Sequence, residues 1–146
     1  MPYEDLLEAG RIRRHRSTAD QLIAHLDIAH TRLEDASVEG MSAEGTFLFA
    51  YDAARAAAEA VMAVEGYRAA SGAGRHEIVF EFLRRAERSR WADLAVELDE
   101  AREKRNYAEY ERAGLITRTE ADDLLRRARE FVNEVARWLH ERGIGS

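Results

Sequence analysis

The chain predicts an all-α fold, an antiparallel helical bundle of about five helices joined by short connections. Three observations predict it. Alanine, leucine, glutamate and arginine, all strong helix formers, dominate the 146 residues. The single proline, Pro2, stands ahead of any predicted helix, so nothing further along removes a backbone donor. Apolar residues recur at helical spacing in successive segments, with no alternating run and no Asn-Gly turn to signal strands.

Residues 1–16 end in "RIRRHR" and show no periodicity. They read as a solvated N-terminal arm, with a phosphate-contacting arm as the sharper alternative. Ser17 reads as an N-cap, with Asp20 in the first turn near the positive helix end. This first helix runs to about Glu39 on a stripe of Leu22, Leu26, Ala29 and Leu33, and Gly40 ends it. Ser42 starts the second helix, "TFLFAYDAARAAAEAVMAVEGY", which closes at Gly66. From Phe47 to Tyr51 it is apolar nearly all round, so it is buried on more than one side, in a bundle centre or against a partner chain. "SGAGRH", Ser71 to His76, is a glycine-rich turn. It lacks the Lys-Ser/Thr of a P-loop and follows no strand.

The third helix follows with Ile78, Val79, Phe82 and Leu83 as its apolar face, ending in the basic "RRAERSR". The fourth opens near Trp91, carries Leu94, Leu98 and Ala101 on the same face, and stops at Gly114. Thr117 and Glu120 form a capping-box pattern. The fifth helix has the most regular stripe, from Ala121 through Leu124, Ala128, Phe131 and Val135 to Trp138, and runs to about Gly143. The bundle spans 17–142, between the arm at 1–16 and a short tail at 143–146.

Composition bounds the function. Apolar residues make up 46%, enough for a real core, and the length suits one domain. The absence of cysteine excludes disulfides, thiolate nucleophiles and Cys-based zinc sites. His15, His25, His30 and His140 share no spacing that selects a metal, so no metal and no cofactor is expected. No apolar run is long enough for a signal peptide or a membrane span, which makes the cytoplasm the default compartment. The net charge of −6 argues against broad, nonspecific nucleic-acid binding, though not against a local basic site. The alanine- and arginine-rich makeup points to a high-GC bacterial source.

The candidate chemistry lies in "AREKRNYAEYE", Ala101 to Glu111. At about 100° per residue, Arg105 projects with Leu94, Leu98 and Ala101. A guanidinium on that face either has a carboxylate partner or marks where the stripe opens into a cleft or interface. Asp52 is the best-placed partner, with Glu59 and Asp99 in reserve. A buried pair that only fixes the register of the bundle is the structural alternative.

Arg105-Asn106-Tyr107-Ala108-Glu109-Tyr110 resembles the R-N-x-x-x-H signature of HEPN domains (higher eukaryotes and prokaryotes nucleotide-binding). The alanine-rich "FLFAYDAARAAAEAVMAVEGYR", the loop and helix "GAGRHEIVFEFL" and the long final helix follow in the family's order. The likeness covers roughly residues 17–142. It implies a helical bundle that dimerises, with Arg105, Asn106 and Tyr110 at an interfacial site; Asp52 as the positional partner of Arg105, His76 in the loop and Tyr107 as an aromatic that can stack on bases are further binding candidates read from the residues themselves. It also implies RNA or nucleotide as ligand, and a toxin–antitoxin or defence setting with a minimal nucleotidyltransferase as partner. Tyr110 stands where the motif has histidine. Histidine titrates near neutrality and suits proton transfer, whereas tyrosine, with a pKa of about 10, is a poor base. Arginine kept and histidine lost favour phosphate binding over cleavage. A metal-independent ribonuclease with an altered site, in which His76 supplies the imidazole, is the alternative; a purely structural module is the third reading.

Overall fold

The computed structural model describes residues 2–110 and 116–144, and of Arg88 and residues 107–110 the backbone alone. A short helix α1 (Glu4–Glu8) and a strand β1 (Ile12–Arg14) precede α2 (Ala19–Ala36) and α3 (Ala43–Val64). Strand β2 (Tyr67–Ala69) follows, then α4 (Arg75–Arg85), a 3-10 turn (Ala86–Ser89), α5 (Ala92–Tyr110) and α6 (Arg118–Glu141). The fold is the expected all-α bundle with one small sheet added.

Local chemistry sets the helix starts. Ser42 Oγ accepts from the Gly45 amide at 3.0 Å. Thr117 Oγ1 accepts from the Glu120 amide at 3.1 Å, while the Glu120 carboxylate accepts from the Thr117 amide at 3.2 Å. That reciprocal pair is the capping box read from the sequence. The cap of α2 is Thr18, one residue beyond the expected Ser17. Gln21 stands three positions after Thr18 and closes a second reciprocal pair there, at 3.1 and 2.9 Å. The helix stop expected at Gly114 lies outside the described residues.

Helix α3 is the centre of the bundle. Ala50, Tyr51, Ala53, Ala54, Ala57 and Ala60 are fully buried along it. It packs against α2 and α6, with α4 and α5 beside it. Its alanines let the neighbouring backbones approach closely and keep the interior filled. At its apolar start the chain's own bundle buries Phe47, Ala50 and Tyr51, whereas Leu48 and Phe49 are half-buried. The regular stripe of α6 is buried from Ala121 to Leu139, and Trp91 meets the edges of Trp138 and Phe131 at 5.4 and 5.7 Å.

Two expectations are corrected. Residues 2–16, the described part of the expected arm, are not a solvated arm: Tyr3, Leu6 and Ile12 are buried, and Tyr3 stacks on Phe82 at 4.0 Å. Strands also exist. β1 and β2 pair antiparallel, with Ile12 opposite Ala69, Arg13 opposite Arg68 and Arg14 opposite Tyr67. Each strand has only three residues, too short to show alternation, and its partner lies on the far side of α2 and α3 in the chain. Among the described residues no helix is long and apolar enough to cross a membrane.

Candidate functional site

Three helices bring one residue each to a common point. Tyr51 is fully buried on α3, where an apolar helix offers its hydroxyl no local partner. A buried hydroxyl needs a hydrogen bond, and this one finds Nδ1 of His76 on α4 at 3.1 Å. Which group donates depends on the imidazole tautomer. From α5, the Arg105 guanidinium lies 5.4 Å from the centroid of the Tyr51 ring, within cation–π distance. The glycine-rich turn positions the histidine. Gly74 caps α4 with φ of 80°, in the left-handed region that glycine adopts without strain, and His76 follows two residues later.

Further charges frame the trio. On α3, Arg55 pairs with Glu59 at 2.6 Å and with Asp52 at 3.7 Å. On α5, Arg102 pairs with Asp99 at 2.8 Å and reaches Glu77 of α4 at 4.0 Å. The second contact ties α5 to α4 beside the site. Burial, reinforced by the positive charges of Arg55 and Arg105, holds the His76 pKa below the usual imidazole value. His76 is therefore neutral at neutral pH. Burial raises the Tyr51 pKa, although Arg105, Arg55 and Arg102 pull it down, so its hydroxyl stays protonated.

Of the residues singled out in the sequence, Arg105 and His76 are brought together through Tyr51. Arg105 is half-buried, and Asn106 beside it is exposed. Asp52 sits one residue from Tyr51, and its ion pair is with Arg55. Glu59 and Asp99 are engaged by Arg55 and Arg102. The side chains of Tyr107 and Tyr110 lie outside the described residues. Sequence reasoning missed Tyr51, Arg55 and Arg102 as members of the site. The signal for Tyr51 was a lone hydroxyl in an otherwise apolar segment. For Arg55 it was the spacing of Asp52 three residues before and Glu59 four after, which favours ion pairs on one helix face.

A guanidinium, a neutral imidazole and a protonated tyrosine in one cluster suit an anionic ligand. The guanidinium can hold a phosphate through two N–H groups, and the imidazole can accept a proton. Among the described residues no three His, Asp or Glu side chains are grouped to hold a metal ion.

The family model described as the HEPN domain matches residues 23–138. Neither a curated protein nor a solved structure matches the chain.

Proposed function

The chain belongs to the HEPN domain family, and from that premise we propose that it is a homodimer that binds RNA or nucleotide phosphate at a site built on Arg105 and Asn106, with Tyr110 in the place of the motif histidine. The observation that carries the reading is the seat of Arg105 over the Tyr51 ring, beside His76. A guanidinium fixed in that way is pre-organised for the fork-like contact that phosphate oxygens accept, and less freedom is lost on binding. The setting that goes with this function is a bacterial toxin–antitoxin or defence module, in which a minimal nucleotidyltransferase is the partner.

Fluorescence anisotropy with a labelled single-stranded RNA tests the site. Arg105→Ala is expected to weaken binding at least tenfold, about 1.4 kcal/mol. Unchanged affinity rejects the site. Sedimentation tests the dimer, which a monomer at high protein concentration would exclude.

A second reading has its own observation. His76 is neutral at pH 7 and hydrogen-bonded at Nδ1, so its other ring nitrogen can be presented in one tautomer. In a ribonuclease it would take the 2′-hydroxyl proton while Arg105 stabilises the charge that develops on phosphorus oxygens. Cleavage lost in both His76→Ala and Arg105→Ala supports this reading. Wild-type protein inert towards a broad set of RNAs removes it.

A further inference from the structure

Arginines over much of this surface sit against carboxylates, as in Arg32–Asp35, Arg85–Asp5 and Arg90–Glu134, all within 2.8 Å. The arginines around the small sheet do not. Arg13, Arg68 and Arg75 are exposed and form no ion pair among the described residues. Arg13 and Arg68 are also cross-strand partners. Residues directly opposite on antiparallel strands share a face with their side chains about 5 Å apart, and like charges there are destabilising. The chain carries 28 acidic residues against 22 basic ones, so carboxylates are not scarce. A like-charge pair left in place on such a surface points to an anion from outside the chain.

The same face leads into a cavity. His15, two residues beyond Arg13 on that side of β1, lines it with Arg68 and Arg75. Its volume is about 350 Å³, and Ile28, Met62 and Val79 form part of its apolar wall. Ile28, which also lines it, is 50% exposed, one of few large apolar side chains left in solvent among the described residues. The carboxylate that borders the cavity, Glu59, is engaged by Arg55 at 2.6 Å. Cations on one side and an apolar recess on the other fit a ligand with a charged backbone and flat apolar groups. Arg75 immediately precedes His76 in the first turn of α4, so one helix start serves both this basic face and the Arg105 site.

We propose that the outer face of the β1–β2 sheet docks single-stranded RNA, with phosphates along Arg13, Arg68 and Arg75 and one unpaired base in the cavity. This rests on the reading that RNA is the ligand, and it gives the strand a path from the sheet to Arg105. Duplex RNA does not fit, because a base enters the recess only when it is unpaired and unstacked. Phosphate contacts are read as salt dependence: each contact on a single strand adds about 0.7 to the slope of log affinity against log salt.

The test is anisotropy of a labelled single-stranded RNA over a salt series with the full chain. It compares wild type, Arg105→Ala and the triple variant Arg13→Ala/Arg68→Ala/Arg75→Ala. The triple variant is expected to bind at least tenfold more weakly, with the slope reduced by about 2, three times the single-contact value. The version with lysine at all three positions keeps the slope. Removing the opposed charges is expected to leave thermal stability equal or higher, which separates lost contact from lost fold. An unchanged slope in the triple variant, with Arg105→Ala impaired, overturns this surface and leaves the Arg105 site standing. The reverse pattern supports the surface and rejects the Arg105 site. Equal affinity for duplex RNA overturns base entry. RNA that fails to bind, while polyglutamate binds through the same arginines, overturns the proposal in favour of an acidic protein partner.

Discussion

The Tyr51–His76 hydrogen bond joins a fully buried ring to a half-buried imidazole, so it contributes to stability as well as to the shape of the candidate site. Tyr51→Phe keeps the ring under Arg105 but leaves His76 Nδ1 without its partner. Removing one member of such a pair costs about 1–3 kcal/mol, which urea unfolding would register as a lower midpoint with an unchanged slope. No loss would mean that the bond is not made in solution. His76 also imposes a direction on pH dependence. Its folded pKa lies below the ordinary value of 6.5, as does that of His25, whose burial outweighs the pull of Glu59. The unfolded chain therefore takes up these protons first. Stability is fully present above pH 6.5 and falls as the pH drops from there through the folded-state values. In His76→Gln this decline is expected to be shallower; an identical profile would contradict the shift. At this scale, angular spacing alone made Arg105 legible. The partner of Asp52 was not, because Arg55 three residues along the same helix competes with any tertiary partner and needs no docking to reach it.

Among the elements, α6 and the β1–β2 pair mark the two extremes of legibility. The α6 signals are local: Thr117 and Glu120 lie three residues apart, and the buried stripe from Ala121 to Leu139 repeats over about five turns. Thr117→Ala is expected to cost about 0.5–2 kcal/mol, measured by thermal or urea unfolding, since an amide of the first turn loses its acceptor. The sheet has no such local signature. Ile12 is the sole apolar residue of its strand, and its cover comes from residues distant in the chain. Ile12 is 2% exposed, so Ile12→Ala is expected to cost about 2–5 kcal/mol. A solvated arm would give almost none, which makes this substitution a direct test of whether residues 1–16 belong to the folded unit.

For the molecule as a whole, the class of fold was readable because helix formers, a lone early proline and apolar periodicity all agree. Of the candidate site, Arg105, Asn106 and His76 were legible in the sequence. How Arg105 and His76 meet was not, because that depends on Tyr51 of α3, a tertiary hydrogen bond and a left-handed glycine at the start of α4. The distribution of charge matters at this scale too. A net charge of −6 repels polyanions in general, so the proposed binding of RNA has to rely on local cations and is expected to weaken steeply with salt. Under the proposed function Arg105 is a phosphate contact rather than a register device. The measurement that tests it most directly is the RNA affinity of Arg105→Lys at fixed salt. Lysine keeps the charge but not the planar fork, so a loss of about tenfold or more is expected, in the range of a hydrogen bond to a charged group. Wild-type affinity in Arg105→Lys would contradict it.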